Sequence, residues 1–238
     1  MKQFDYIIAG AGAAGLTLAY LLTGYEDRQK SILIIDKDSK SANDRTWCFW
    51  EKEANLFENL VFKSWTKAVF QTSDWSKTYD LNPYTYKMIR GIDFYEFMKT
   101  ELKRSNVEWL NEEVISIEAE GIVKTKSAEY KGELVFNSIF DRKELEVPHS
   151  RTILQHFKGW IVETKTPQFD SDTATYMDFS IDQQGDCRFG YILPFSEKRA
   201  LIEYTLFNDQ LLEQPDYDSA LKDYLQKLGI HEYEITEV

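Results

Sequence analysis

The sequence predicts an α/β fold in two parts: a parallel-stranded half at the N-terminus and a mostly antiparallel β-sheet region that interrupts and follows it. Three observations predict it. Residues 4–36 read strand, glycine turn, helix, strand, which forces a parallel crossover. Residues 107–137 read as a run of short strands, and residues 188–207 as a hairpin. Taken in order, residues 4–9 are a short apolar run, expected as a buried strand. Residues 13–22 are small and apolar and suit a tightly packed helix, with Gly24 as its stop. Residues 31–36 form a second apolar run that ends in an acid. Residues 64–81 alternate irregularly around Trp65, Val69, Phe70, Trp75 and Tyr79, and read as short strands. Residues 93–104 carry Phe94, Phe97, Met98 and Leu102 at helical spacing. Strands are expected at 107–110, 113–119, 121–125 and 133–137. The hairpin pairs 188–193 with 200–207, and 218–228 is a closing helix. These elements divide the chain into 1–63 with 88–150, and 64–87 with 151–238.

With 238 residues the chain makes one large domain or two small ones. A composition 43% hydrophobic and 29% charged fits neither a disordered chain nor a membrane bundle. The net charge of -12 argues against a nucleic-acid partner, because phosphate binding needs a basic surface. The 35 aromatic residues (6 Trp, 14 Tyr, 15 Phe) either fill the core or line a pocket for a large apolar ligand. Cys48 and Cys187 lie far apart, so no disulfide framework is expected and a reducing compartment is the default. His149, His156 and His231 show no metal spacing, so no metal site is expected. The apolar run 7–22 holds three glycines and follows Asp5, which reads as cytoplasmic structure and not as a targeting segment.

Gly10-Ala11-Gly12-Ala13-Ala14-Gly15 is Gly-x-Gly-x-x-Gly. Alone it is a weak signal. Here it follows a strand and opens a helix, and Asp36 ends the next strand. Gly10 permits the tight turn, Gly12 lets the backbone approach a pyrophosphate, and Gly15 lets the helix pack on the sheet. Free N–H groups at Ala13 and Ala14 and the helix dipole hold phosphate charge. Asp36 accepts from both hydroxyls of an adenosine ribose and disfavours a 2′-phosphate. The N-terminal half is therefore expected to be an FAD/NAD(P)-binding Rossmann-like domain. The motif's position at the extreme N-terminus, followed by an antiparallel segment, favours FAD over NAD.

Further stretches match one pattern. They are Asn43-Asp44-Arg45-Thr46-Trp47-Cys48-Phe49-Trp50, Pro83-Tyr84, and Arg90-Gly91-Ile92-Asp93-Phe94-Tyr95. Gln155-His156-Phe157-Lys158-Gly159-Trp160, Met177-Asp178-Phe179, and 188–195 follow, and then Ala200-Leu201-Ile202-Glu203-Tyr204-Thr205. In this order, from about residue 4 to 230, the sequence resembles the bacterial lycopene cyclases, flavoproteins of the hydroxylase and prenyl-reductase fold. Two positions depart from that pattern. The family motif carries a second acid where Tyr204 stands, and family chains are longer, returning to the flavin half with a further glycine-containing segment.

The resemblance implies an intramolecular lyase or isomerase of carotenoid biosynthesis that closes the ends of lycopene into β-ionone rings without net redox change. It implies reduced FAD, with NADPH as external reductant. It also implies a hydrophobic polyene substrate, and through that insoluble substrate leaves room for peripheral contact with the inner membrane. Glu203, flanked by Leu201, Ile202, Leu206 and Phe207, is the expected acid, its carboxyl kept neutral by burial. The bland alternative is a strand glutamate facing water. Asp178 is a partner or final base, or a plain surface carboxylate. Trp47, Trp50, Phe189 and Tyr191 are expected to line a tunnel and face cations, or else to be core. Lys37 and Arg45, after the second strand, join the cofactor residues, with a surface ion pair as the alternative for Arg45. His156 is expected as a packed or solvated side chain. Two other functions remain open on these residues: an FAD-dependent hydroxylase or prenyl reductase, and a nucleotide-binding remnant without activity.

Overall fold

The computed structural model describes residues 1–24, 30–141 and 152–238. The expected boundary at 150–151 lies outside them. The elements run β1 (Lys2–Ala9), α1 (Ala13–Gly24), β2 (Ile32–Asp36), β3 (Thr46–Glu51), β4 (Lys63–Trp65), β5 (Lys67–Gln71), β6 (Ser76–Asp80) and β7 (Thr85–Arg90). They continue α2 (Gly91–Leu102), β8 (Val107–Asn111), β9 (Val114–Glu118), β10 (Ile122–Thr125), β11 (Glu129–Asn137) and β12 (Leu154–Thr164). The last are β13 (Thr173–Asp178), β14 (Cys187–Pro194), β15 (Arg199–Asn208), α3 (Gln214–Lys227) and β16 (Tyr233–Glu237). The chain forms a mixed α/β fold of two compact units, Met1–Trp47 with Ile89–Glu146, and Cys48–Met88 with Val147–Val238.

The first unit is built on a six-stranded sheet in the order β8-β2-β1-β11-β10-β9. β1 pairs parallel with both β2 and β11, and β2 pairs parallel with β8; β10 pairs antiparallel with its neighbours. The central strands read as unbroken apolar runs because both faces are covered. Ile7, Ile8, Ile34 and Ile35 are fully buried. Ile7, Leu33 and Ile35 pack on Phe4 and Val123. α1 and α2 pack together, with Tyr20 and Phe97 ring centroids 5.5 Å apart.

The second unit holds a seven-stranded sheet in the order β16-β12-β15-β14-β13-β5-β6. β12, β15, β14 and β13 are antiparallel, and β13 pairs parallel with β5. Its alternation separates two faces. Trp160, Ile192, Ile202, Tyr204 and Leu206 on one face form a core with Tyr217, Leu221, Tyr224 and Leu225 of α3. The other face carries Tyr191, Leu193, Leu201 and Glu203. Leu193 there packs in a cluster with Trp65, Tyr86 and Met88, and Cys48, Tyr191 and Leu201 adjoin it. The first unit ends at Trp47, where the sequence reading turned at 63. Residues 48–62 are tied to β7: the buried Lys87 ammonium pairs with Glu51 (3.0 Å) and Glu58, and the Phe62 N–H donates to the Met88 carbonyl (2.8 Å).

Candidate active site and nucleotide loop

The glycine turn lies between β1 and α1. Gly10 has φ +100, a conformation that L side chains avoid, and its N–H donates to the Ile35 carbonyl at 2.8 Å. A Cβ on Gly15 would lie 2.1 Å from the Gly10 carbonyl oxygen, so the loop and helix close on each other only with glycine there. Gly12 differs. A Cβ on it would meet nothing within 4 Å. The protein itself demands glycine at 10 and 15 but not at 12. The first N–H groups of α1, at Ala13 and Ala14, have no carbonyl four residues back within the helix.

Asp36, at the end of β2, holds the loop from below. Its Oδ2 accepts the Ala11 N–H at 2.6 Å and its Oδ1 the Asp38 N–H at 2.8 Å. A carboxylate has about four acceptor positions, so two bonds leave capacity for a ribose. A cleft of about 320 Å³ opens beside it, lined by Asp38, Ser39, Lys99, Trp109 and Asn111 with Asp36. Gly10 to Gly15 and Asp36 are thus one constellation, and its donors and acceptors fit an adenine dinucleotide. Lys37 lies at the surface, 3.7 Å from Glu113. Arg45 is also exposed, 3.8 Å from Asp44, and its carbonyl accepts the Gly91 N–H at the start of α2.

The second constellation lies wholly in the second unit. In the register of β12, β15 and β14, Glu203 stands between Gly159 and Tyr191. Gly159 offers no side chain beside it; a Cβ there would sit 2.9 Å from a Leu201 methyl. Burial raises the Glu203 carboxyl above the ordinary glutamate range, and the Thr205 hydroxyl, which donates to Glu203 Oε1 at 2.8 Å, opposes this only in part. On the same face of the sheet as Glu203, the Tyr191 hydroxyl meets the Tyr86 hydroxyl, which also meets the Cys48 thiol. Burial pushes the Cys48 thiol up to about 12, with the nearby Glu203 charge adding to the effect, and burial likewise raises Tyr86 and Tyr191. All three stay neutral at physiological pH. Such a thiol is not a nucleophile.

Aromatic rings continue from this cluster. Trp50 lies 4.5 Å from Tyr86 and 5.4 Å from Tyr176, and Tyr176 lies 5.7 Å from Tyr191. Of the four expected tunnel residues, Trp50 and Tyr191 are therefore joined to the Glu203 cluster. Phe189 is buried two residues along from Tyr191, opposite Thr205, and packs on Phe179 at 5.5 Å. Trp47 belongs to the first unit and packs edge-on to Phe94 and Tyr95 of α2, at 5.1 and 5.8 Å.

Asp178 takes a different place. It pairs with Gly190, which pairs with Tyr204, and so it faces α3, on the sheet face opposite Glu203. Only 1% exposed, it accepts from Tyr224 (2.9 Å), Gln71 (2.6 Å) and the Ser180 N–H (2.9 Å). Tyr204 is also on the α3 side, where its hydroxyl accepts from the buried Arg188 at 3.0 Å. His156 is buried between Tyr217 (2.5 Å) and Asn208 (2.8 Å).

Sequence reasoning singled out Glu203 but missed Cys48, Tyr86, Tyr176 and Thr205. The signal for Thr205 is strand alternation from Glu203. Cys48, Tyr86 and Tyr176 come from three other strands, and only tertiary packing brings them to the carboxyl.

A mostly parallel sheet that carries the glycine turn and a mostly antiparallel seven-stranded sheet define a mixed α/β protein. Solved structures share the fold. A geranylgeranyl bacteriochlorophyll reductase-like protein from Thermoplasma acidophilum has a TM-score of 0.69 at 11% identity, covering 100% of this chain and 65% of that one. A flavin-dependent halogenase from Xanthomonas campestris has a TM-score of 0.66 at 11% identity, covering 99% and 60%. Residues 5–238 match the family described as lycopene cyclase protein, and the chain belongs to that family. It is 26% identical over 220 residues to the lycopene beta-cyclase of Pantoea ananas, covering 90% of this chain and 55% of that relative. The chain spans about half the length of this curated relative.

Proposed function

We propose that the protein acts in the acid-catalysed cyclisation of the ends of lycopene to β-ionone rings, as an isomerase of carotenoid biosynthesis. The observation that carries this reading is the Glu203 carboxyl, raised by burial and set among neutral aromatic, thiol and aliphatic groups. A proton passes from Glu203 to the terminal alkene and leaves a tertiary cation. The internal double bond attacks that cation and closes the ring. A neighbouring carbon then returns a proton to the Glu203 carboxylate and forms the ring alkene, so atoms balance, the acid is regenerated and no electron is consumed. The faces of Tyr191, Tyr86 and Trp50 stabilise positive charge.

The loop Gly10–Gly15 with Asp36 is proposed to hold FAD in its reduced form, with NADPH as the external reductant and Lys37 and Arg45 as further contacts. When bound, the reduced flavin supplies negative charge that stabilises a cation. Asp178, on the far face of the sheet, is proposed as a positioning residue that fixes β13 and α3.

Expression in lycopene-accumulating cells tests the reading. The protein converts the pigment to β-carotene, a product of unchanged mass, and Glu203→Gln does not. A Glu203→Gln variant as active as the parent overturns Glu203 as the proton donor. A product heavier by oxygen or hydrogen would instead indicate an FAD-dependent hydroxylase or prenyl reductase.

A further inference from the structure

The second unit has a second apolar feature, beyond the residues around Glu203. A groove of about 590 Å³ runs along β5 and β6 and the turn that leaves them, within the ~300–1,000 Å³ of small-molecule sites. Trp50, Phe70, Trp75, Tyr79, Leu81 and Tyr84 line it. Four of these are among the exposed large side chains of the protein: Trp50 (40%), Trp75 (48%), Tyr79 (38%) and Tyr84 (52%). So many exposed rings gathered on one concave surface mark a binding site.

The lining chooses the ligand's chemistry. Its one charged side chain, Asp80, accepts the Asn82 N–H at 2.9 Å and serves the turn. A ligand rich in hydrogen-bonding groups would be desolvated here with few partners. A flat hydrocarbon with an extended π-system fits, because ring faces and edges give it contact along its length.

The groove also leads somewhere. Trp50 belongs both to its wall and to the cluster around Tyr86 and Tyr176. Phe70, which also lines the groove, lies 5.2 Å from Tyr176. Tyr176 touches Tyr191, which stands beside Glu203 across the strand pair. Aromatic contacts therefore run without a break from the groove to the carboxyl.

We propose that this groove binds the conjugated hydrocarbon arm of a long polyene whose reacting end meets Glu203. The assignment rests on the reading of Glu203 given above and adds the subsite that selects for chain length and conjugation. Phe70, Trp75, Tyr79 and Tyr84 are its specificity determinants.

Binding of all-trans lycopene from detergent micelles tests it, read as circular dichroism induced in the polyene's visible band, which does not depend on turnover. The parent protein and Glu203→Gln give the signal. The pair Trp75→Ala with Tyr84→Ala weakens binding about tenfold through loss of two ring contacts. Ile115→Ala, at an exposed position of the first unit, leaves it unchanged. Trp75 and Tyr84 are half-exposed, so the pair is expected to melt with the parent. Three results overturn the proposal: no induced signal from lycopene, equal affinity in the paired variant, or equal competition by squalene or phospholipid vesicles. The two readings fail separately. Cyclisation by Glu203→Gln with the groove result intact removes only the proton donor. Normal binding by the paired variant with Glu203→Gln inactive removes only the groove.

Discussion

Glu203 links stability to pH in a direction opposite to most carboxylates. Its folded-state pKa is raised by burial, so the native protein holds a proton that the unfolded chain releases. Stability is greatest below the ordinary glutamate range, near ~4.3, and falls as pH rises from there through the folded value. Glutamine carries no such penalty. Glu203→Gln is therefore expected to melt with the parent at low pH and above it at pH 7 to 8; a variant less stable at neutral pH contradicts the desolvated carboxyl. Asp5 behaves the other way. The Lys30 ammonium, the Ser31 hydroxyl and the Ser31 N–H bond its carboxylate at 2.7–2.9 Å and hold it well below the usual range. Its contribution is present above the unfolded carboxylate pKa and lost as pH falls through the folded one. The melting gap between the parent and Asp5→Asn should accordingly close on acidification. The glycines of the turn make a third contrast. Gly12→Ala should leave the unfolding free energy of the protein within about 0.5 kcal/mol of the parent yet weaken FAD binding, measured by quenching of flavin fluorescence. Gly15→Ala should destabilise the fold itself, because its Cβ would enter the Gly10 carbonyl.

At the scale of elements, β13, β14 and α3 are locked by one absent side chain. A Cβ on Gly190 would lie 2.2 Å from the Tyr224 ring, whose hydroxyl reaches on to Asp178. Gly190→Ala should cost about 1–3 kcal/mol by overpacking, and Tyr224→Leu in the same chain should recover part of it. Additive losses in the double variant, read by denaturant melts, would show that the two positions do not meet. The same elements show what local sequence conveys. The hairpin expected at 188–193 and 200–207 spans Cys187–Pro194 and Arg199–Asn208, because alternating apolar residues around a polar turn are a local signal. α2 and α3 lie within four residues of their expected limits for the same reason. β12 is legible only as one stretch of the family resemblance, since Lys158 and Gly159 interrupt its apolar pattern, and β16 is a largely exposed edge strand with no apolar pattern to read. The nucleotide loop was legible because its constraints lie within one short segment. The groove was not. Trp50, Phe70, Trp75 and Tyr84 are spread over 35 positions, and in sequence each looks like ordinary strand filling.

For the molecule as a whole, charge and packing pull in different directions. A net charge of -12 repels itself in the compact state. Raising ionic strength from a few millimolar to ~0.15 M, where the screening length is about 8 Å, should raise the melting temperature; a fall would mean that ion pairs such as Lys87 with Glu51 outweigh the repulsion. The two sides of the seven-stranded sheet are committed to different tasks, one to α3 and the other to the carboxyl and its aromatic neighbours. That commitment gives β15 no tolerance for slippage. Because neighbouring side chains alternate, sliding the strand by a single residue would turn Glu203 into the helix interface and bring Tyr204 out in its place. An insertion or deletion in the turn between Pro194 and Arg199 that slipped β15 by one residue would therefore displace the carboxyl and unseat the helix in one stroke, even though it touches neither.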